Sequence, residues 1–346
     1  MDEPTSALSA SEVEVLFKVI RDLTANGVAI VYISHHLEEA IEIADYAVVF
    51  RDGDLVATAD AADIDLSWVV RQMVGREADY DFRKEPREYG GVALSIQNVT
   101  VAELDTGRVA VNNVSLDVRA GEIVCLYGLM GAGRTELMEA LAGRDQLSGG
   151  RVLLGDVDLV GRGVAERIEL GLGLVPEDRQ RDGLVQMMTV GENLSLPSLL
   201  ATVRSWFINR KVERASVDRE ITDVRVKTAG PNALITSLSG GNQQKVVIGK
   251  MLLTNPKVLL LDEPTRGIDV GAKGEIFALL FREAARGLGV LYVTSEVGEA
   301  LTASHRILVM SKGRIVREFD PRTCTRDDIM AASGEHETIN DANGVS

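Results

Sequence analysis

The stretch Ile123-Val124-Cys125-Leu126-Tyr127-Gly128-Leu129-Met130-Gly131-Ala132-Gly133-Arg134-Thr135 decides the fold. Its apolar run reads as a buried strand, its glycines as a tight loop, and Glu136 to Ala142 as the helix that follows. A strand that passes through a glycine loop into a helix turns backbone N–H groups inward, and the helix N-terminus adds partial positive charge. The loop is therefore a cradle for phosphate oxygens. The Thr135 hydroxyl can ligate Mg2+, and the spacing is that of a P-loop with one departure: Arg134, a planar fork, stands where the motif takes lysine.

Working outward, Val258-Leu259-Leu260-Leu261-Asp262-Glu263 sets two carboxylates at the end of a continuous apolar strand. A buried parallel sheet delivers its functional groups at that edge. Asp262 suits Mg2+ through water, and Glu263 suits a general base for an attacking water. Between these motifs, Leu238-Ser239-Gly240-Gly241-Asn242-Gln243-Gln244-Lys245 opens a helix that runs to about Leu253. Ser239 can cap it, and Gly240 and Gly241 leave N–H groups accessible, so this is a second anion site.

Asp262-Glu263-Pro264-Thr265 occurs earlier as Asp2-Glu3-Pro4-Thr5, 260 positions before, and the offset holds without a gap. Phe17 falls on Phe277, Gly27 on Gly287, Tyr32 on Tyr292, Glu39-Ala40 on Glu299-Ala300 and Gly53 on Gly313. Each copy reads as an acidic strand end, an amphipathic helix, an apolar strand (28–33; 290–293), a second helix and a hairpin, around 51–53 or 311–313. That alternation is an α/β sheet. About 170 residues in front of Asp262 have no counterpart before Asp2, so the expectation is a chain truncated within its first repeat.

The formal charge of −15, with no Lys/Arg block, argues against nucleic acid as a partner, so phosphate must be met locally. Cys125 and Cys324 lack metal or disulfide spacing, and no apolar run approaches the ~20 residues of a membrane span. Membrane work would come through a partner.

Taken together, these motifs resemble the ATP-binding subunit of ATP-binding cassette (ABC) importers, most closely the fused two-cassette subunits of the simple-sugar class. The resemblance runs from Met1 to about Asp320, with Leu238 to Gln243 similar to the family's signature and Pro264 to Ala272 to its D-loop. It implies a P-loop NTPase of the α/β class, with a mixed sheet and flanking helices, an antiparallel β subdomain and a helical subdomain. The complete cassette would cover 92–330 and the C-terminal part of another 1–75, with a linker over 76–91 and a disordered tail over 331–346. The cofactors implied are ATP and Mg2+. ATP would be held by Gly128, Gly131, Ala132, Gly133, Arg134, Thr135 and Glu136 of one cassette and by a signature such as Ser239, Gly240, Gly241 and Gln243 of another. Mg2+ would fall to Thr135, Asp262, Glu177 and Asp2, and catalysis to Glu263, Glu3 and the switch histidine His35. The implied partners are transmembrane permease subunits, through them a substrate-binding protein, and another cassette copy. The implied location is the cytoplasmic face of the inner membrane.

Departures from the family pattern mark the second cassette as degenerate. His35 falls on Ser295 and His36 on Glu296, Glu177 replaces the Q-loop glutamine, and Arg108 is the nearest substitute for the aromatic residue that stacks on adenine. Because ATP lies between the P-loop of one cassette and the signature of the other, neither site is expected to be complete within one chain. A catalytically silent nucleotide-binding fragment is the alternative reading. Met187-Met188-Thr189-Val190 and the stretch with Trp206, Phe207 and Ile208 look like the surface that receives the permease, with Met188 and Val190 as contacts; plain core packing is the rival explanation.

Overall fold

The structure is a computed structural model that describes residues 1–2, 4–5, 10–34, 37–51, 54–65, 68–69, 72, 88–102, 107–204 and 207–334. These fall into two units, one drawn from 1–80 with 268–275 and one from 81–267 with 276–346. Glu3, His35, His36 and Trp206, together with 76–87 of the expected linker and 73–75 before it, lie outside the described residues.

In the first unit, helix α1 (Ala10–Ala25) buries Phe17 and Ile20, helix α2 (Leu37–Ile43) follows, and strands β1 (Tyr46–Arg51) and β2 (Asp54–Asp60) form an antiparallel hairpin. The expected strand over 28–33 is not formed. Asp2 bridges Ile33, Met1 N donates to Val31 O at 2.8 Å, and Val31 is 76 % exposed. A strand exists through its neighbours, and among the described residues no ladder flanks this segment.

The second unit starts with an antiparallel sheet. Strands β3 (Val92–Ala102) and β4 (Val109–Arg119) pair, β6 (Gly149–Leu154) joins β3, and the short β7 (Val157–Asp158) completes the order β4-β3-β6-β7. Just before β3, Gly90 and Gly91 exchange backbone hydrogen bonds with Ala120, so the last residues of the expected linker are already tied to the sheet.

Strand β5 (Ile123–Tyr127) leads into helix α3 (Arg134–Ala142), and helix α4 (Val164–Leu170) precedes strand β8 (Leu172–Val175). A helical part follows, with α5 (Val190–Ser195), the short strands β9 (Val203–Arg204) and β10 (Phe207–Ile208), α6 (Arg210–Asp223) and α7 (Gly240–Leu252). Strand β11 (Val258–Asp262), helix α8 (Val270–Ala285), strand β12 (Gly289–Thr294), helix α9 (Val297–Thr302), strands β13 (Arg306–Ser311) and β14 (Arg314–Phe319) and helix α10 (Arg326–Ser333) end the description. Helix α10 carries the fold past Ala331, where the tail was expected to begin, and buries Ser333; 335–346 lie outside the described residues. The bounds α8 and β13 stand 260 positions after those of α1 and β1.

The larger sheet has the order β14-β13-β5-β12-β11-β8, parallel except for β14. Its inner strands β5, β11 and β12 are buried at every position, which is why they read as continuous apolar runs rather than alternations. One apolar cluster joins both sheets around α3, from Ile96, Val111 and Val118 through Leu137 and Leu141 to Leu126, Leu260 and Leu291.

Helix α3 is fixed at its far end by Arg167, 3 % exposed, whose guanidinium donates to the carbonyls of Ala140, Leu141, Leu159 and Arg162 at 2.6–3.0 Å. Two of these acceptors belong to the last turn of α3, where a cation complements the helix dipole. Arg167→Ala is expected to destabilise the fold by about 3 kcal/mol or more, because it strips buried acceptors of a charged donor; urea unfolding measures the loss.

Candidate active site

The register of the parallel sheet aligns three strand ends. Tyr127 of β5 pairs with Thr294 of β12, and Val293 pairs with Asp262 of β11. The glycine loop, the acidic pair and the position of the missing histidine therefore share one edge, as their places in the sequence require.

The glycine loop is held from behind. Gly133, the N-cap of α3, has φ 95°, and a Cβ there would lie 2.2 Å from Ala110 O, so only glycine lets the loop close against β4. The β13–β14 turn supports it, since Gly313 N donates to Ala132 O and Asn112 N to Gly313 O. Gly128, Gly131 and Ala132 line the same turn, whose tip Met130 is 88 % exposed, and Glu136 is half-buried in the first turn of α3.

Two side chains of this helix start meet the two carboxylates. Thr135 hydrogen-bonds Asp262, and Arg134 Nη1 lies 3.1 Å from Glu263 Oε1, with both side chains about nine-tenths buried. Asp262 is 2 % exposed, and its Oδ1 has no hydrogen-bond partner. Burial pushes its carboxyl up to about 6, with the Thr135 hydrogen bond opposing the rise and the neighbouring Glu263 adding to it. Glu263 itself sits at φ 44°, a left-handed backbone held by Glu263 N donating to Val293 O and by Arg266 N donating to Glu263 O.

Glu177 does not reach the cradle; it pairs with Arg266 beyond the acidic strand. Next to it Arg179, which the sequence reading passed over, donates to Arg266 O at 2.9 Å and Gly267 O at 3.3 Å. A Cβ on Gly240 would lie 2.8 Å from its Nη2, so a side chain at that position would push this guanidinium aside. No motif scan reports that, because Arg179 meets Gly240 only in the fold.

Ser239 stands at the N-cap of α7, but its hydroxyl makes no capping bond and accepts from Asn242 Nδ2 instead. Gly241 is buried, and Gln243 faces inward: its Oε1 accepts from Gln180 and its Nε2 donates to Ile235 O. Ser295 and Glu296 are exposed where β12 ends, and Arg108 is exposed just before β4. Asp2 lies in the first unit, bridged to Ile33.

Val190 is fully buried and Met188 half-buried, so the first is a core residue rather than a docking contact; Met187, 91 % exposed, and Leu234, 54 % exposed, are among the apolar side chains facing solvent there. The side chains of Phe207 and Ile208 lie outside the described residues.

Comparison with known proteins agrees with this geometry. Residues 111–266 match the family model described as ABC transporter. The chain is 45 % identical over 349 residues to the xylose import ATP-binding protein of Pseudomonas savastanoi pv. phaseolicola, covering 99 % of this chain and 67 % of that protein. It is 46 % identical to the ribose import ATP-binding protein of Rhodopirellula baltica, covering 96 % and 65 %. The chain thus spans about two thirds of the length of these relatives.

Among solved structures, a dimeric ATP-binding cassette in a post-hydrolysis state with ADP and phosphate superposes with TM-score 0.58 at 24 % identity, over 67 % of this chain and all of that one. An ATP-binding cassette of an ABC transporter in its ADP conformation gives 0.58 at 23 % identity, over 73 % of this chain and 99 % of that one. The fold is that of an ATP-binding cassette. The chain belongs to the ABC transporter family, with sugar-import ATP-binding proteins as its relatives.

The Asp262 carboxyl yields a prediction with a sign. The folded chain holds this proton more tightly than the unfolded chain, whose carboxyl titrates near 3.8, so stability falls as pH rises from about 4 through about 6. Asp262→Asn, which can still accept from Thr135, is expected to stabilise the nucleotide-free chain at pH 8 by up to about 3 kcal/mol. The gain should vanish by pH 4; thermal melts across that range measure it.

Proposed function

We propose that this chain is the ATP-binding subunit of a simple-sugar importer, binding MgATP in the cradle from Gly128 to Thr135 and using hydrolysis to drive a permease. The observation that carries the reading is the closure of the cradle on its own acidic pair, Thr135 on Asp262 and Arg134 on Glu263. Inward N–H groups and Arg134 supply positive charge for phosphates in a chain whose formal charge is −15.

The residues present fit Mg2+. A hydroxyl and a buried carboxylate with an unpartnered oxygen are hard donors side by side, so Thr135 would hold the ion directly and Asp262 through water. When bound, Mg2+ neutralises charge on the phosphates. Asp2 would play the part of Asp262 in the first cassette, whereas Glu177, paired with Arg266, stands back from this ion.

Entry of a triphosphate offers Arg134 a stronger anion than Glu263. Its guanidinium turns to the phosphate oxygens and frees the Glu263 carboxylate. Glu263 then takes a proton from water as the water oxygen bonds to the γ-phosphorus and the bond to the ADP oxygen breaks, giving ADP and phosphate. Glu136 borders the cradle. Ser239, Gly240 and Gly241 offer N–H groups to the nucleotide of another cassette copy, with Gln243 bracing them from within. Glu3 and His35 would serve as base and switch histidine of the first cassette.

The names of the relatives, a xylose and a ribose import ATP-binding protein, support a simple sugar as the cargo. No helix among the described residues is long and apolar enough to cross a membrane, so passage of sugar falls to permease subunits, supplied by a substrate-binding protein. The subunit would sit at the cytoplasmic face, with Met187 and Leu234 towards the permease.

Binding of a fluorescent ATP analogue with Mg2+ tests the core of this reading. Arg134→Ala is expected to weaken binding at least about tenfold, the loss of one charge-assisted contact, and Glu263→Gln to strengthen it by freeing Arg134; no binding by the unaltered chain would refute the assignment. For the partner surface, Met187→Asp is expected to release the subunit from its permease in a pull-down with its melting temperature unchanged, whereas Val190→Asp unfolds it.

A further inference from the structure

A buried carboxylate outside the motifs ties two loops of the site together. Glu299, on α9 and 7 % exposed, accepts from the Thr265 hydroxyl through Oε1 at 2.6 Å and from the Thr294 hydroxyl through Oε2 at 2.7 Å. Thr265 is 1 % exposed and Thr294 fully buried. The Glu299 carbonyl accepts from the buried Tyr292 hydroxyl at 3.0 Å, which fixes the helix that carries the carboxylate.

Burying a carboxylate is costly unless each oxygen finds a donor, and an apolar residue would fill the same volume more cheaply. The donors here come from the two loops that leave the sheet at the reactive edge. Thr265 lies two residues after Glu263, in the turn that holds Glu263 at φ 44°. Thr294 is the last residue of β12, directly before Ser295, and its hydroxyl also accepts from Glu296 N at 3.0 Å.

The first repeat contains the same three functional groups. Thr5, Ser34 and Glu39 stand 260 positions before Thr265, Thr294 and Glu299, although their neighbours His35 and His36 differ from Ser295 and Glu296. There the Thr5 hydroxyl and Glu39 Oε2 are buried without a hydrogen-bond partner. The functional groups recur in both repeats although the adjacent residues differ, and the bonds that join them are seen in the second.

We propose that Glu299 is a positioning residue: by bonding Thr265 and Thr294 at once, it makes the loop carrying Glu263 and the loop after β12 one rigid element facing the terminal phosphate. The part concerning phosphate rests on the function proposed above; the mechanical link stands apart from it.

The test is amide hydrogen exchange on the nucleotide-free full chain, with Mg2+-dependent binding of fluorescent ATP and ADP analogues alongside. Thr265→Val removes the donor at nearly constant volume and is expected to speed exchange about tenfold or more in both 263–267 and 294–297. Thr265→Ser, which restores the hydroxyl, should stay within about twofold of the unaltered chain. Glu299→Met removes both acceptors at similar volume and is expected to loosen both loops, which decides the matter should the valine variant fail to fold. Affinity for the ATP analogue should fall about tenfold more than for the ADP analogue. Equal exchange in the valine and serine variants, or a change confined to 263–267, overturns the proposal. Absence of nucleotide binding by the unaltered chain would overturn the functional reading while leaving the exchange result to decide this one.

Discussion

Two adjacent carboxylates at the end of β11 have been withdrawn from water, and the architecture of this edge answers them. A lone buried charge costs several kcal/mol, so it is neutralised, paired or protonated. Asp262 takes a hydroxyl and a raised titration range, and Glu263 takes a guanidinium. Both partners come from the first turn of α3, so the cradle's residues and the acidic residues share one electrostatic account. The arginine in the lysine position then has a physical meaning. A guanidinium reaches a carboxylate as readily as a phosphate, and here it pairs with Glu263.

That pairing depends on rigid surroundings. Arg167 anchors α3 at its far end, Gly133 lets the loop close on β4, and Arg179 ties the segment after β8 to the backbone beyond Glu263. Side chains outside the glycine loop and the acidic pair thus set where those groups stand. In a chain of formal charge −15, a buried arginine stands beside the acidic pair, so the charge at this edge is set locally.

Much of this was legible in the sequence. A fixed offset between two copies of Asp-Glu-Pro-Thr carries over to helix and strand bounds, since a gapless repeat preserves both the pattern of burial and the turns that interrupt it. The strand, loop and helix around Gly128 to Thr135 were legible too, because glycine spacing is a local constraint. What escaped was set by the third dimension. Gln243 looks like a ligand-facing amide and lies inward against Gln180, Val190 looks like a docking contact and is core, and 28–33 reads as a strand without a ladder to join. Each depends on a neighbour distant in sequence, which periodicity does not encode.

The same distinction separates the two kinds of glutamate at this edge. Glu263 announces itself by its place after an apolar strand, while Glu299 sits in an ordinary helical stretch and is revealed only by the two hydroxyls that converge on it. A left-handed glutamate persists only where the surroundings over-determine it. The ladder bond to Val293, the turn closed by Arg266 N and the Thr265 anchor supply that over-determination from three directions. The left-handed backbone at Glu263 and the converging hydroxyls at Glu299 are therefore linked through Thr265, which lies two residues after the first and donates to the second.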